Sequence, residues 1–239
     1  MPRRHNVVAE QEPMGSPAVV YDLHRDRRSS HQQIARMVRR LGRDPILDVG
    51  AARGQLGRLL AGSGLTIDGI EPDPDAAEMA APHYRSLQQA TVETADLRPN
   101  TYSVIICADV LEHIADPSAV VQQLLESATD DALLIVSLPN IAHIAARAII
   151  AAGQFPRHER GIFDRTHLHF YTRRTAVEMI ESNGLRVLRV VPTPVPLEEI
   201  WPRWLPGVLL EAAMRLQGIG NRLAPTLFAF QWIIVARRT

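Results

Sequence analysis

The stretch Pro45-Ile46-Leu47-Asp48-Val49-Gly50-Ala51-Ala52-Arg53-Gly54-Gln55-Leu56-Gly57 decides how this chain folds. The apolar residues at 46, 47 and 49 predict a buried strand, and the leucines at 56, 59 and 60 predict a helix. Between them, Gly50 and Gly54 allow the backbone to approach a ligand without a Cβ in the way. A strand, a tight turn and a helix in this order form a nucleotide-binding corner, where the helix start offers unpaired N–H groups.

A second signal lies downstream, where the segment 66–71 predicts the next strand with Glu71 at its carboxyl end. The gap of about 20 residues from Gly50 to Glu71 is the spacing expected of an acid that binds a ribose diol. A dinucleotide oxidoreductase is disfavoured, because its fingerprint needs a third glycine where this chain has Gln55, and because no second nucleotide-binding half follows. The remaining alternative is an ordinary structural turn followed by a surface glutamate.

Composition limits the classes of function. The chain has 239 residues and a formal net charge of zero, which argues against a nucleic-acid partner held by bulk charge. Every strong base is an arginine, so a Walker lysine and a Schiff-base lysine are excluded. The single Cys107 excludes an intramolecular disulfide and a cysteine-based zinc cluster. We see neither a signal peptide nor a run of about 18 apolar residues, and expect a cytoplasmic protein.

The rest of the chain alternates between strand and helix patterns. We expect residues 1–17 to form a flexible tail and residues 18–239 to form a single domain. Apolar strands at 102–108 and 132–138, each followed by a helical pattern, predict a doubly wound parallel α/β sheet with helices on both faces. An insertion at 193–226 separates the last two strands and carries a predicted helix from Val208 to Leu216.

Several motifs follow one another in a fixed order. They are the glycine corner, Glu71, Asp109-Val110-Leu111-Glu112-His113-Ile114, Leu138-Pro139-Asn140 and Asp164-Arg165-Thr166-His167-Leu168-His169-Phe170. Together they resemble the ubiquinone-type and polysaccharide-associated branch of class I S-adenosylmethionine (SAM) methyltransferases, with Ala52 where that family usually has glycine. The resemblance covers roughly residues 46–191 and the final strand. It implies a Rossmann-like, seven-stranded sheet with the last strand antiparallel, and SAM as the cofactor.

The resemblance also implies which residues bind the cofactor. These are Asp48, Gly50, Ala52, Gly54, Glu71 and Asp109, together with Glu93 and Asp96 in the loop that borders the adenine. Either Glu93 or Asp96 is expected to accept a hydrogen bond from the adenine amino group. The alternative for both acids is an ordinary solvated charge on a loop.

Methyl transfer from a sulfonium is an in-line displacement, and a base can remove the proton of a hydroxyl acceptor. The candidates are His113, His143, His167 and His169, all placed near the carboxyl edge of the predicted sheet. In the family pattern His167 is the histidine nearest the acceptor, so we favour it. For each of the four, the alternative is a histidine that orients a turn or binds backbone.

Asp109, Glu112 and His113 suggest a second hypothesis. In a helix their spacing would place them on one face, where they would bind a divalent ion, as some ubiquinone-type relatives do. The alternative is that Glu112 and His113 fix the loop by hydrogen bonds. We favour that alternative, and predict no metal site.

The resemblance therefore implies a SAM-dependent methyltransferase that methylates an oxygen of a small-molecule, glycan or lipid-linked acceptor. The alternative is a non-catalytic SAM-binding protein that acts as a regulatory or partner subunit. Residues 201–216 of the insertion have four open interpretations: core packing, an acceptor lid, a peripheral membrane contact and a homodimer contact.

Overall fold

Seven strands form one sheet in the computed structural model, which describes residues 28–202 and 204–239. The flexible tail predicted at residues 1–17 lies outside the described residues. The strands are β1 (Ile46–Val49), β2 (Ile67–Ile70), β3 (Ser86–Gln88), β4 (Tyr102–Ala108), β5 (Ala128–Pro139), β6 (Leu185–Thr193) and β7 (Gln231–Arg238). Their order is β3-β2-β1-β4-β5-β7-β6, and β7 runs antiparallel to both of its neighbours. The predicted fold class is confirmed.

The helices connect these strands. They are α1 (Ser30–Leu41), α2 (Gln55–Leu60), α3 (Pro74–Ala80), α4 (Pro117–Ser127), α5 (Ile144–Ala151), α6 (Arg173–Glu181), α7 (Leu197–Ile200), α8 (Gly207–Leu223) and α9 (Pro225–Phe228), with 3₁₀ turns at Ala81–His83 and Leu111–His113. None of the helices in the described ranges combines the length and apolar composition that a bilayer crossing requires.

The sheet lies between two hydrophobic layers. On one face, Leu47 and Ile105 pack in a cluster with residues of α4 and α6. On the other face, Ile46 and Ile106 pack in a cluster with residues of α1 and α2. Successive strand residues alternate between the two clusters because side chains of a strand point to opposite faces. The free Cys107 is fully buried in the first cluster.

Side-chain caps fix where several helices begin. Asp73, Asp116 and Thr172 each accept a hydrogen bond from a backbone N–H of the first turn that follows them. The cap of α1 is Ser29, whose side chain accepts from Gln32 N.

The insertion leaves and rejoins the sheet at the edge that carries the site. Thr193, the last residue of β6, pairs with Gln231, the first residue of β7, and Gln231 also pairs with Pro139 at the carboxyl end of β5. Helices α7 to α9 therefore project from the carboxyl edge of the parallel strands. Helix α8 spans 17 residues, longer than the 208–216 segment predicted from the sequence.

Candidate active site

The glycine corner after β1 is closely packed. Gly50 has φ +72°, and a Cβ added there would lie 2.7 Å from Cγ2 of Val110 in the loop after β4. Gly54 has φ +77°, and a Cβ there would lie 2.9 Å from Cα of Ala80 at the end of α3. At both positions glycine permits a left-handed backbone and also a close contact with a neighbouring element.

Glu71 binds the corner directly. Its Oε2 accepts from Ala52 N at 2.7 Å, and its Oε1 accepts from Asp73 N at 2.9 Å. Ala52 has φ +46°, a left-handed conformation that costs a non-glycine residue free energy. Burial raises the pKa of Glu71, and the two N–H donors act against that rise. Gly50, Ala52, Gly54 and Glu71, which are predicted to bind the cofactor, therefore lie together at this corner.

Asp48 lies beneath the corner, on the side of α2. It is 2% exposed, and its Oδ2 accepts from the Tyr84 hydroxyl at 2.6 Å. The same hydroxyl accepts from Gly57 N at 3.3 Å, while Asp48 Oδ1 has no hydrogen-bond partner among the described residues. Burial raises the pKa of Asp48 to about 7, although the hydrogen bond from Tyr84 acts to lower it. Asp48 is thus placed to support α2 from below, through a contact with Tyr84 that was not predicted from local patterns.

Asp109 ends β4 in a left-handed conformation, with φ +58°. Its Oδ1 accepts from Ser137 Oγ at 2.7 Å and from Gln231 Nε2 at 3.0 Å. These contacts join the carboxyl ends of β4 and β5 to the start of β7. Glu93 and Asp96, the two candidates for the adenine, are both exposed in the loop after β3.

Three chemistry-bearing side chains meet after β4. They are Glu112, His113 and His167. One carboxylate oxygen and one nitrogen of each imidazole lie within 4.8 Å of one another. Glu112 is fully buried, and neither carboxylate oxygen has a hydrogen-bond partner among the described residues. Burial, followed by the charges of Asp109 and Asp164, raises its pKa well above the usual range.

His167 is buried beside this carboxyl. Its ring is 6% exposed, and its Nδ1 lies 3.3 Å from the carbonyl oxygen of Ile162. Its Nε2 lies 4.0 Å from Glu112 Oε1. Burial and then the nearby His113 lower the pKa of His167, so the site disfavours the charged form of the ring.

His113 is exposed and is held from one side. Its Nδ1 lies 2.9 Å from Thr166 Oγ1, and that hydroxyl donates to Asp164 Oδ1 at 2.6 Å. Because the hydroxyl proton is used toward Asp164, Nδ1 of His113 is the donor and Nε2 keeps its lone pair. His113 and His167 contact each other edge to face, with ring centroids 4.8 Å apart.

The two other candidate histidines have structural contacts. His143 caps α5, where its Nδ1 accepts from Ala145 N at 3.2 Å, and burial lowers its pKa. His169 Nε2 lies 3.3 Å from the carbonyl oxygen of Ala115. Both contacts match the alternative of a histidine that orients a turn or binds backbone.

The proposed metal trio is wrong in one member. Asp109 accepts from Ser137 and Gln231, and the residues after it form a 3₁₀ turn rather than a continuous helix. His167 takes its place beside Glu112 and His113. One carboxylate and two imidazoles are suitable donors for a divalent ion, although ligands of one ion need to lie closer than 4.8 Å. The absence of a metal stays a prediction.

The fold is shared with SAM-dependent methyltransferases of known structure, one of which has S-adenosylhomocysteine (SAH) bound, and together with the family match it identifies SAM as the cofactor. The chain belongs to the methyltransferase domain family, whose sequence model matches residues 21–190.

Individual relatives are distant. The ubiquinone biosynthesis O-methyltransferase of Glaesserella parasuis is 30% identical over 121 residues, which are 46% of this chain and 51% of that protein. The chain thus spans about half the length of this curated relative. The SAH-bound magnesium protoporphyrin IX methyltransferase of Synechocystis has a TM-score of 0.62 at 16% identity, covering 94% of this chain and 90% of its own. The [4+2]-cyclase SpnF has a TM-score of 0.57 at 16% identity, covering 86% and 80%.

We predict that Gly50→Ala destabilises the protein more than Gly62→Ala does. Both glycines have positive φ, but a Cβ at Gly62 meets nothing within 4 Å, whereas one at Gly50 meets Val110 at 2.7 Å. Overpacking of this kind costs about 1–3 kcal/mol beyond the shared backbone strain. Urea unfolding measures the difference, and calorimetry should show SAM binding lost in Gly50→Ala alone. Equal stability and equal binding in the two variants would contradict the packed corner.

We also predict a pH-dependent effect of Asp48→Asn on the apoprotein. The folded-state pKa of Asp48 is about 7, above its unfolded value, so the folded state holds the proton more tightly between about pH 4 and 7. Wild-type stability therefore falls as pH rises through that window, and the Asn variant lacks this contribution. The free energy of unfolding of Asp48→Asn, relative to that of wild type, should therefore rise by on the order of a few kcal/mol from pH 4 to 7 and then level off.

Urea titrations of both proteins at a series of pH values provide the test. The exposed Asp75→Asn on α3 is the matched control and should show a constant difference from wild type. A difference between Asp48→Asn and wild type that does not change with pH would refute the raised pKa.

Proposed function

We propose that this methyltransferase transfers the methyl group of SAM to a hydroxyl oxygen of a small-molecule, glycan or lipid-linked acceptor. The observation that carries the proposal is the hydrogen-bonded series from His113 through Thr166 to Asp164. It leaves His113 Nε2 as a free acceptor on an exposed ring at the carboxyl edge of the sheet. That is the arrangement a general base needs in order to take a hydroxyl proton.

His113 acts as the base in this proposal, in preference to His167. An acceptor can reach the exposed ring of His113, whereas His167 is 6% exposed and lies beneath it. When His113 takes the proton, Asp164 stabilises the imidazolium through Thr166.

The cofactor corner and the proposed base have separate roles. The corner with Glu71 holds the donor, and the loop after β4 carries both Val110, against Gly50, and His113. This connection keeps the base at a fixed position relative to the cofactor site, as an in-line transfer requires. If a divalent ion binds, Glu112, His113 and His167 would hold it, and it would supply a Lewis acid for the acceptor oxygen.

The names of the relatives bear on the acceptor, and the histidine bears on whether the protein is an enzyme. The curated relatives are named as O-methyltransferases of ubiquinone biosynthesis, which favours a hydroxyl acceptor here. The fold alone does not establish methyl transfer, since a [4+2]-cyclase shares it. A non-catalytic SAM-binding subunit remains the second candidate. The hydrogen-bonded series from His113 through Thr166 to Asp164 is the feature that favours catalysis over it.

We predict that His113→Ala lowers kcat for methyl transfer about 100-fold or more, since general-base catalysis contributes that much. The assay follows labelled methyl from SAM into a panel of phenolic, glycan and prenylated hydroxyl acceptors. Thr166→Val, which breaks the link to Asp164, should lower kcat by a smaller factor. SAM affinity should stay unchanged in both variants, because neither residue belongs to the corner.

The exposed His158→Ala, outside the cluster, is the matched control and should retain full turnover. A chelator added to the same assay should leave the rate unchanged if no metal participates. Turnover by His113→Ala at the wild-type rate would remove His113 as the base. SAM binding without label transfer to any acceptor in the panel would favour the non-catalytic subunit.

A further inference from the structure

Helix α8 presents an apolar stripe to solvent. Its members are Val208, Leu209, Ala212, Leu216, Ile219 and Leu223. At 100° per residue they fall within an arc of about 100° along the whole helix. Val208 is 70% exposed, Leu216 69% and Leu223 81%. Trp204, just before the helix, is 81% exposed.

The side of α8 opposite the stripe is less exposed, since Met214 and Gln217 there are half-buried. Gly220, which lies next to the stripe, packs against the ring of Phe228 in α9, so closely that a Cβ there would lie 2.7 Å from that ring. In this orientation of the helix the apolar stripe is exposed.

A cluster of arginines borders the apolar stripe. Arg215 and Arg222 lie on one edge of α8, between the stripe and an open cleft of about 1200 Å³. Among the residues that the structure describes, the cleft is lined by five arginines and by one carboxylate, Glu211; the arginines are Arg28, Arg36, Arg189, Arg215 and Arg222. The chain as a whole has no net charge, so positive charge is concentrated beside the stripe.

We propose that α8 and Trp204 dock on the surface of an anionic phospholipid bilayer, with the helix lying in the plane of the interface. An exposed apolar stripe, a tryptophan and flanking arginines are the features of interfacial helices, where apolar residues enter the acyl boundary and cations pair with headgroups. The helix is about 25 Å long and carries Glu211, Arg215 and Arg222, so it lies on a membrane rather than crossing it.

The charge distribution favours a bilayer over a second copy of the chain. In an antiparallel two-fold pair of α8 helices, the arginine edges of both copies would lie side by side and repel each other. Anionic headgroups instead neutralise the same arginines. Since α7 to α9 project from the carboxyl edge of the sheet, docking brings that edge to the membrane. If the proposed function holds, this position suits a lipid-linked acceptor.

Vesicle co-sedimentation of the full chain tests this proposal. Phosphatidylcholine vesicles are compared with vesicles that also contain phosphatidylglycerol. We expect binding to the anionic vesicles, lowered at least tenfold in Leu216→Gln/Leu223→Gln. Arg215→Gln/Arg222→Gln should weaken it by about fivefold for each arginine. The matched controls, Leu41→Gln/Met79→Gln and Arg173→Gln/Arg174→Gln, change exposed residues elsewhere and should bind as wild type does.

Each other outcome overturns the proposal. These are no vesicle binding by the wild type, equal binding to neutral vesicles, and equal loss in the control variants. Sedimentation velocity without lipid shows whether Leu216→Gln/Leu223→Gln dissociates a dimer; a dimer lost without vesicle binding would assign the stripe to a second copy. SAM titration of each variant confirms that the fold is intact. Label transfer to water-soluble acceptors tests the proposed function separately.

Discussion

The hydrogen bond from Ala52 N to Glu71 Oε2, at 2.7 Å, is the contact on which the cofactor corner depends. It joins the turn after β1 to the end of β2 and holds Ala52 in a left-handed conformation that it would not otherwise prefer. Below the same turn, the Tyr84 hydroxyl links Asp48 to Gly57 and thereby fixes α2. The corner is thus preorganised by the protein before a cofactor arrives.

A second constraint is that parallel strands end at one edge. Gly50, Glu71 and Asp109 follow β1, β2 and β4, so they lie near one another although they are far apart in sequence. Asp109 extends this arrangement, because its Oδ1 accepts hydrogen bonds from Ser137 in β5 and from Gln231, where the insertion returns to the sheet. The site and the end of the insertion are therefore joined through the hydrogen bonds of one side chain.

Local patterns predicted the fold and the corner, because these depend on the alternation of strands and helices and on glycine spacing. They did not predict the series from His113 to Asp164, since it joins loops that lie 53 residues apart at Thr166 and depends on how segment 162–169 folds back. Asp109 illustrates the same limit: its spacing suggested a helical face with Glu112, but a left-handed φ turns it toward β5. The contact between Asp48 and Tyr84 was not predicted either, because the two residues lie 36 positions apart in the sequence.

The most direct measurement is a calorimetric titration of wild type and Glu71→Ala with SAM and with S-adenosylhomocysteine, with NADH as the contrasting ligand. The account predicts that both sulfur ligands bind the wild type, that NADH does not, and that Glu71→Ala loses about 1.5–3 kcal/mol of binding free energy with its charged acceptor. Glu78→Ala, an exposed acid on α3, should bind as wild type does. Failure of both sulfur ligands to bind, or binding of NADH in their place, would contradict the account.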